Sequence, residues 1–129
     1  FSFDTLKAEA QTGKPVIISM GMGGNKKQME KIFSKNKPVF CYCISEYPTS
    51  LKKIDWPKAV KFDGFSDHTE GFLAPIMFAL NFRNPKKTKF YEKHVSITKS
   101  RGPDKPFSMP MNDFGKLVSE FKKIQSLKL

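Results

Sequence analysis

Four short apolar runs, each alternating with a helical pattern, constrain this chain more than any other feature. Residues 15–20, 38–44, 60–65 and 89–97 read as strands, and the first two are almost continuously apolar, as strands buried on both faces are. Leu6 and Ala10 share a helical face that closes at Gly13, a residue suited to a helix C-cap. The first strand ends in a Gly-rich turn, residues 21–24. Asn25 can then cap a helix, with Gln28 in capping-box spacing and Met29, Ile32 and Phe33 as its apolar stripe. Tyr47-Pro48-Thr49 turns the chain into a short helix over residues 51–54. A helix over residues 69–80 would place Phe72, Ile76 and Ala79 on one side. After a polar, proline-containing loop at residues 100–111, residues 112–127 form an amphipathic helix: Phe114, Leu117, Val118, Phe121 and Ile124 follow the 3.6-residue period. Such alternation implies α/β architecture, with βα units on a parallel sheet. A complete (β/α)8 barrel needs eight units and about 250 residues. Four units in 129 residues therefore make either half a barrel or a small doubly wound sheet.

The length suits one domain, spanning residues 1–129, with a modest core. No apolar run approaches the roughly 20 residues of a membrane helix, so no membrane partner is expected. Residues 1–13 lack the basic and long apolar stretches of a signal peptide, and the chain opens without a Met, as a piece of something longer would. Cys41 and Cys43 lie two apart in an apolar strand, as buried reduced thiols would, which suits a reducing, cytoplasmic setting. The net charge of +11 raises the possibility of a nucleic-acid partner. Of the 23 basic residues only Arg83 and Arg101 are Arg, and the lysines are scattered in runs no longer than two. Base readout and bidentate phosphate clamps favour Arg, so the charge reads as a solvated surface.

The chain has two histidines, His68 and His94, each near the C-terminal end of one of two consecutive strands. Neighbouring parallel strands lie about 4.8 Å apart, so the two imidazoles could meet one metal ion. Ligands collect at that end of parallel sheets. The period of two puts Ser66 with His68 and Glu92 with His94 on one face, and turns Asp67 and Lys93 toward the helices, where a salt bridge is expected. Ser19 and Ser45 also end strands, and with the Gly-rich backbone could form a phosphate cradle.

Beyond spacing, the residues resemble a known family. Lys14-Pro15-Val16-Ile17-Ile18-Ser19-Met20-Gly21-Met22 resembles the K-P-V-I-x-S-T-G-M strand of sialic acid (N-acetylneuraminate) synthases, a group that includes pseudaminic and legionaminic acid synthases. Cys43-Ile44-Ser45 with Tyr47-Pro48 resembles the family's H-C-x-S-x-Y-P segment, and Gly64-Phe65-Ser66-Asp67-His68-Thr69 its G-x-S-D-H-T. Glu92-Lys93-His94 resembles I-E-K-H-F. Gly102-Pro103-Asp104, followed by Ser108 and Pro110, resembles G-P-D-x-x-x-S-x-x-P. The elements keep the family's order from about residue 12 onward.

The resemblance implies the C-terminal half of a (β/α)8 barrel, without the first four βα units or the antifreeze-like C-terminal domain. It implies condensation of phosphoenolpyruvate with an N-acetylated amino sugar to a nonulosonic acid. A divalent metal, Mn2+ or alternatively Mg2+, would be held by His68 and His94. Ser19 and Ser66 would bind the phosphoenolpyruvate phosphate, and Ser45 would line that site. Asp104 would face the sugar and count with Glu92 among the catalytic residues. An open half-barrel exposes two strand edges and a lumen face, which implies a homo-oligomer or a complementary half-barrel. The chain departs from the family at Met20 (Thr there), at Tyr42 (His there) and in an Asn84-Pro85-Lys86-Lys87 insert. Met20 and Tyr42 favour the alternative of a non-catalytic binding or assembly module, beside the third alternative, a basic nucleic-acid binder.

Overall fold

The computed structural model describes residues 2–82, 89–97 and 101–127. The Asn84–Lys87 insert lies outside the described residues. Helix α1 (Phe3–Gln11) ends at Thr12, and Gly13 takes the positive φ of 67° that follows such a terminus. Strand β1 (Ile17–Ser19) leads to α2 (Lys26–Ile32), whose N-cap Asn25 accepts from the Gln28 amide. Strand β2 (Val39–Cys43) follows, then a 3-10 turn at Leu51–Lys53 and a short helix α3 (Trp56–Ala59) capped by Asp55. Strand β3 (Gly64–Asp67), helix α4 (Leu73–Asn81) and strand β4 (Phe90–Lys93) complete the main sheet. A two-residue β5 (Val95–Ser96) pairs with β6 (Met109–Pro110) just before the long α5 (Met111–Ser126).

The four main strands are parallel and lie in chain order, β1-β2-β3-β4. A doubly wound sheet reverses its strand order at a switch point. This sheet has no reversal among its described strands, so it winds in one direction, as a barrel does. The register makes each strand's two faces unambiguous. Ile18 pairs with Phe40, Tyr42 with Phe65, and Phe65 with Tyr91; these residues face the helices. They form two contiguous cores, one around Ile18, Met29, Phe33 and Phe40, the other around Tyr42, Phe65, Ala74, Phe78 and Phe82. Phe62 packs against both. The opposite face carries Ile17, Ser19, Cys41, Cys43, Ser66 and Glu92, and Ile17 is 56% exposed.

Four sequence expectations need correction. The third strand begins at Gly64, not at residue 60: Asp55 caps α3, Val60 to Phe62 complete that turn, and Asp63 makes the first backbone bonds to Phe40 and Phe90. The buried face of α4 is Ala74, Pro75 and Phe78, because α5 packs on that side, while Phe72 is 39% exposed. The fourth strand is broken at His94, whose carbonyl accepts from Met109 N–H at 2.8 Å, so Val95 and Ser96 join β6. In α5, Leu117 and Ile124 are buried but Val118 lies at the solvent edge.

Candidate active site

At the ladder's C-terminal end, the lumen face carries two stacked polar layers. The lower is a register row: Cys43 pairs with Ser66, and Ser66 with Glu92. The Ser66 hydroxyl donates to Glu92 Oε2. Two residues further along the strands come Ser45, His68 and His94. The His68 and His94 ring centroids are 5.4 Å apart, with their planes at 62°. His68 is buried, and its Nδ1 sits 2.8 Å from the Ile44 carbonyl. A carbonyl only accepts, so Nδ1 carries a proton and Nε2 is the ring nitrogen turned away from this contact. The His94 side chain is 31% exposed, with Nδ1 at 3.7 Å from Asp104 Oδ2.

This pair suits a divalent metal. Metal-binding imidazoles typically donate the other ring nitrogen to a carbonyl or carboxylate, as His68 does and as Asp104 offers His94. At metal–nitrogen distances near 2.1 Å, two rings sharing one ion have centroids roughly 5 Å apart. Among the described residues no group of three or more His, Cys, Asp or Glu that could hold a metal ion is present, so the imidazoles stand as a pair.

The serines divide. Ser66 is buried inside the lower layer, whereas Ser45 is exposed in the upper one. A Cβ built on Gly21 would lie 2.6 Å from Ser45 Oγ and 2.9 Å from Cys43 Sγ, so a bare glycine backbone borders both groups. Ser19 stands apart, one layer deeper, in register with Cys41. Burial, with the Glu92 charge, raises the Cys43 thiol pKa, and the Ser45 hydroxyl and the Gly21 amide oppose the shift.

Two site residues escaped the sequence reading. The Tyr47 ring stacks on His68 at 4.1 Å and meets His94 at 6.1 Å. Phe107 closes the other side, 5.0 Å from Tyr47 and 5.4 Å from His94. Partial burial first, then the negative groups at Cys43, Glu92 and Asp104, raise the Tyr47 phenol's pKa. Tyr47 follows Ser45 by two, so its phase was available in the sequence. Phe107 showed itself only as an apolar residue in a polar loop.

The departures that favoured a non-catalytic module lie elsewhere. Tyr42 points away from the lumen, packs on Phe62 and Phe65, and its hydroxyl accepts from Asp55 N–H at 3.1 Å. Met20 packs on the Ile18–Phe40 core. Neither residue faces the imidazoles, so neither argues against a working site.

Comparison with known proteins places the family and the fold. The chain is 33% identical over 131 residues to a pseudaminic acid synthase of Campylobacter jejuni, covering 91% of this chain and 36% of that protein. It is 31% identical over 140 residues to an uncharacterized protein of Methanocaldococcus jannaschii, covering 97% and 40%. Its structure superposes on the N-acetylneuraminic acid synthetase of Leptospira borgpetersenii with a TM-score of 0.79 at 25% identity, covering 95% of this chain and 45% of that one. The chain thus spans about two fifths of the curated relatives' length, and its sheet is part of a (β/α)8 barrel. The NeuB family profile matches residues 1–128, and a match running nearly the full chain settles its kinship: the chain belongs to the NeuB family.

Proposed function

We propose that this chain supplies the metal-binding half of a nonulosonic acid synthase barrel, which condenses phosphoenolpyruvate with an N-acetylated amino sugar. The observation that carries this reading is the His68–His94 pair at adjacent strand ends, 5.4 Å apart, with His68 Nε2 turned away from the Ile44 carbonyl. The two imidazoles would hold Mn2+, or Mg2+ in its place. The bound ion would polarise the open-chain sugar aldehyde as a Lewis acid.

The chain's own residues do the positioning. Ser45, beside the bare Gly21 backbone, and Ser66 would receive the phosphoenolpyruvate phosphate, with Ser19 contributing from the layer below. Glu92, which accepts from the Ser66 hydroxyl until the phosphate takes that hydrogen bond, is placed to hold or move a proton near the reacting carbons. Asp104 and the Tyr47 and Phe107 rings would orient the sugar beside His94. In the reaction, C3 of phosphoenolpyruvate attacks the aldehyde carbon, water adds at C2, and phosphate leaves. Catalysis here is mainly orientation and charge stabilisation. Residues from the first four βα units complete the site, carried in the same chain or by a partner. The chain by itself therefore binds metal without turnover.

The test joins this chain to those preceding units, in cis or by co-expression. Phosphate release should require phosphoenolpyruvate, Mn2+ and an N-acetylated amino sugar together, and His94→Ala should abolish it. Release that needs no sugar, or that survives His94→Ala, would contradict the assignment.

A further inference from the structure

One carboxylate ties together two strand ends directly behind the paired imidazoles. Asp67 Oδ2 accepts from the Tyr91 hydroxyl at 2.6 Å and from Lys93 Nζ at 3.2 Å. Its Oδ1 accepts from Thr69 N–H at 2.7 Å. Lys93 Nζ also donates to the Thr69 carbonyl. The Asp67 and Lys93 side chains are 0% and 1% exposed. A buried ion pair is a poor source of stability, because desolvation offsets most of the attraction and apolar residues of similar volume often serve as well. What it does supply is direction: a slipped register leaves charges unpaired in a dry layer.

Register matters most at this point of the sheet. The β3–β4 ladder runs from Gly64↔Phe90 to Asp67↔Lys93 and stops there. His68 and His94 come one residue later, beyond the last pair. Each is tied elsewhere by its own carbonyl, His68 to Thr49 N–H and His94 to Met109 N–H, both at 2.8 Å. Those ties hold each residue without joining the two. The polar set does join them: Asp67 and Thr69 bracket His68, both bind Lys93, and Lys93 adjoins His94.

We propose that the Asp67–Lys93 pair, with Tyr91 and Thr69, is a positioning device that fixes the offset of the two strand ends and thereby the separation of the His68 and His94 imidazoles. None of the four is a catalytic residue in this reading. The consequence for metal affinity rests on the proposed function; the consequence for ring geometry does not.

The chain has two histidines, so their imidazole resonances can be followed without overlap from others. A nuclear Overhauser effect between the two rings reads their proximity in metal-free protein, and Mn2+ titration reads affinity. Asp67→Leu with Lys93→Met and Tyr91→Phe removes every charge in the set and keeps an apolar filling. The expected result is a folded variant that loses the inter-ring effect and binds Mn2+ about 10-fold more weakly or worse. A milder variant, Asp67→Asn with Lys93→Met, keeps the Tyr91 and Thr69 contacts, cuts the lysine links, and should weaken both readouts. Either variant, folded and with both readouts as in the parent, overturns the proposal. So does a parent chain without the inter-ring effect, and so does failure of both variants to fold, which would assign the pair to stability. A parent that shows the effect but ignores Mn2+ sinks the metal reading instead, and the ring comparison still decides this one.

Discussion

At the scale of single residues, the site is set by which ring nitrogen each contact takes up. His68 spends Nδ1 on the Ile44 carbonyl, so under the proposed function Nε2 is the atom that would meet the metal, while His94 is anchored less firmly, beside Asp104. His94→Ala should therefore weaken Mn2+ binding by more than about 10-fold in a calorimetric titration, with little change in thermal midpoint because the ring is partly exposed. Gly64 shows the opposite constraint. A Cβ there would lie 2.5 Å from the Phe90 carbonyl oxygen and 2.7 Å from Cys41 Sγ, so β3 could not keep its place between β2 and β4. Gly64→Ala should cost about 1–3 kcal/mol by overpacking, read as a lower urea midpoint. Cys41 gives a pH signature. Burial, with help from Glu92 and Asp63, pushes its thiol from 9.0 to about 12. The folded state favours the neutral thiol, so this contribution is complete below pH 9 and is lost as pH climbs toward about 12. Cys41→Ala should flatten the alkaline fall in stability, measured by urea melts across pH 8–11.

At the scale of elements, α4 and α5 brace the strand ends that carry the histidines. Phe78 is the hub: its ring contacts Phe65 of β3, Tyr91 of β4, Phe82 and Phe121 of α5. Phe78→Ala should cost about 3–5 kcal/mol, and the loss should be visible as a lower melting temperature in circular dichroism. Helical phase was readable for α5 but not for α4. The α5 stripe is sharp because its other side is charged. Residues 73–82 are apolar almost all round, so periodicity could not choose a face, and only the position of α5 did. The break at His94 was hidden for a similar reason: residues 89–97 read as one run, and a distant Met109 amide divides them.

At the scale of the whole molecule, one face of the sheet is cored by helices and the other is open, with β1 and β4 as edges. The chain alone should hide that face by self-association or by pairing with a complementary half-barrel. Its +11 charge opposes contact between copies and is screened by salt. Sedimentation should therefore show more association at 0.5 M than at 0.05 M NaCl. A compact monomer at micromolar concentration in both salts would count against an unsatisfied lumen face. No helix among the described residues is long and apolar enough to cross a membrane.

What the sequence determined by itself was local and periodic. Alternating strand and helix patterns specify a parallel α/β sheet, and the period of two groups Ser66 with His68, Glu92 with His94, and Asp67 opposite both. Periodicity left a half-barrel and a doubly wound sheet open; the motif resemblance implied the half-barrel, and the strand order bears it out. The tertiary structure alone decided which ring nitrogen of His68 meets the Ile44 carbonyl and the entry of Phe107 from a loop. It also decided that Tyr42 and Met20 face the helices. The physical reason is range: periodicity reports the nearest few residues, whereas these outcomes depend on contacts across 20 residues or more, such as Ile44 with His68, 24 apart.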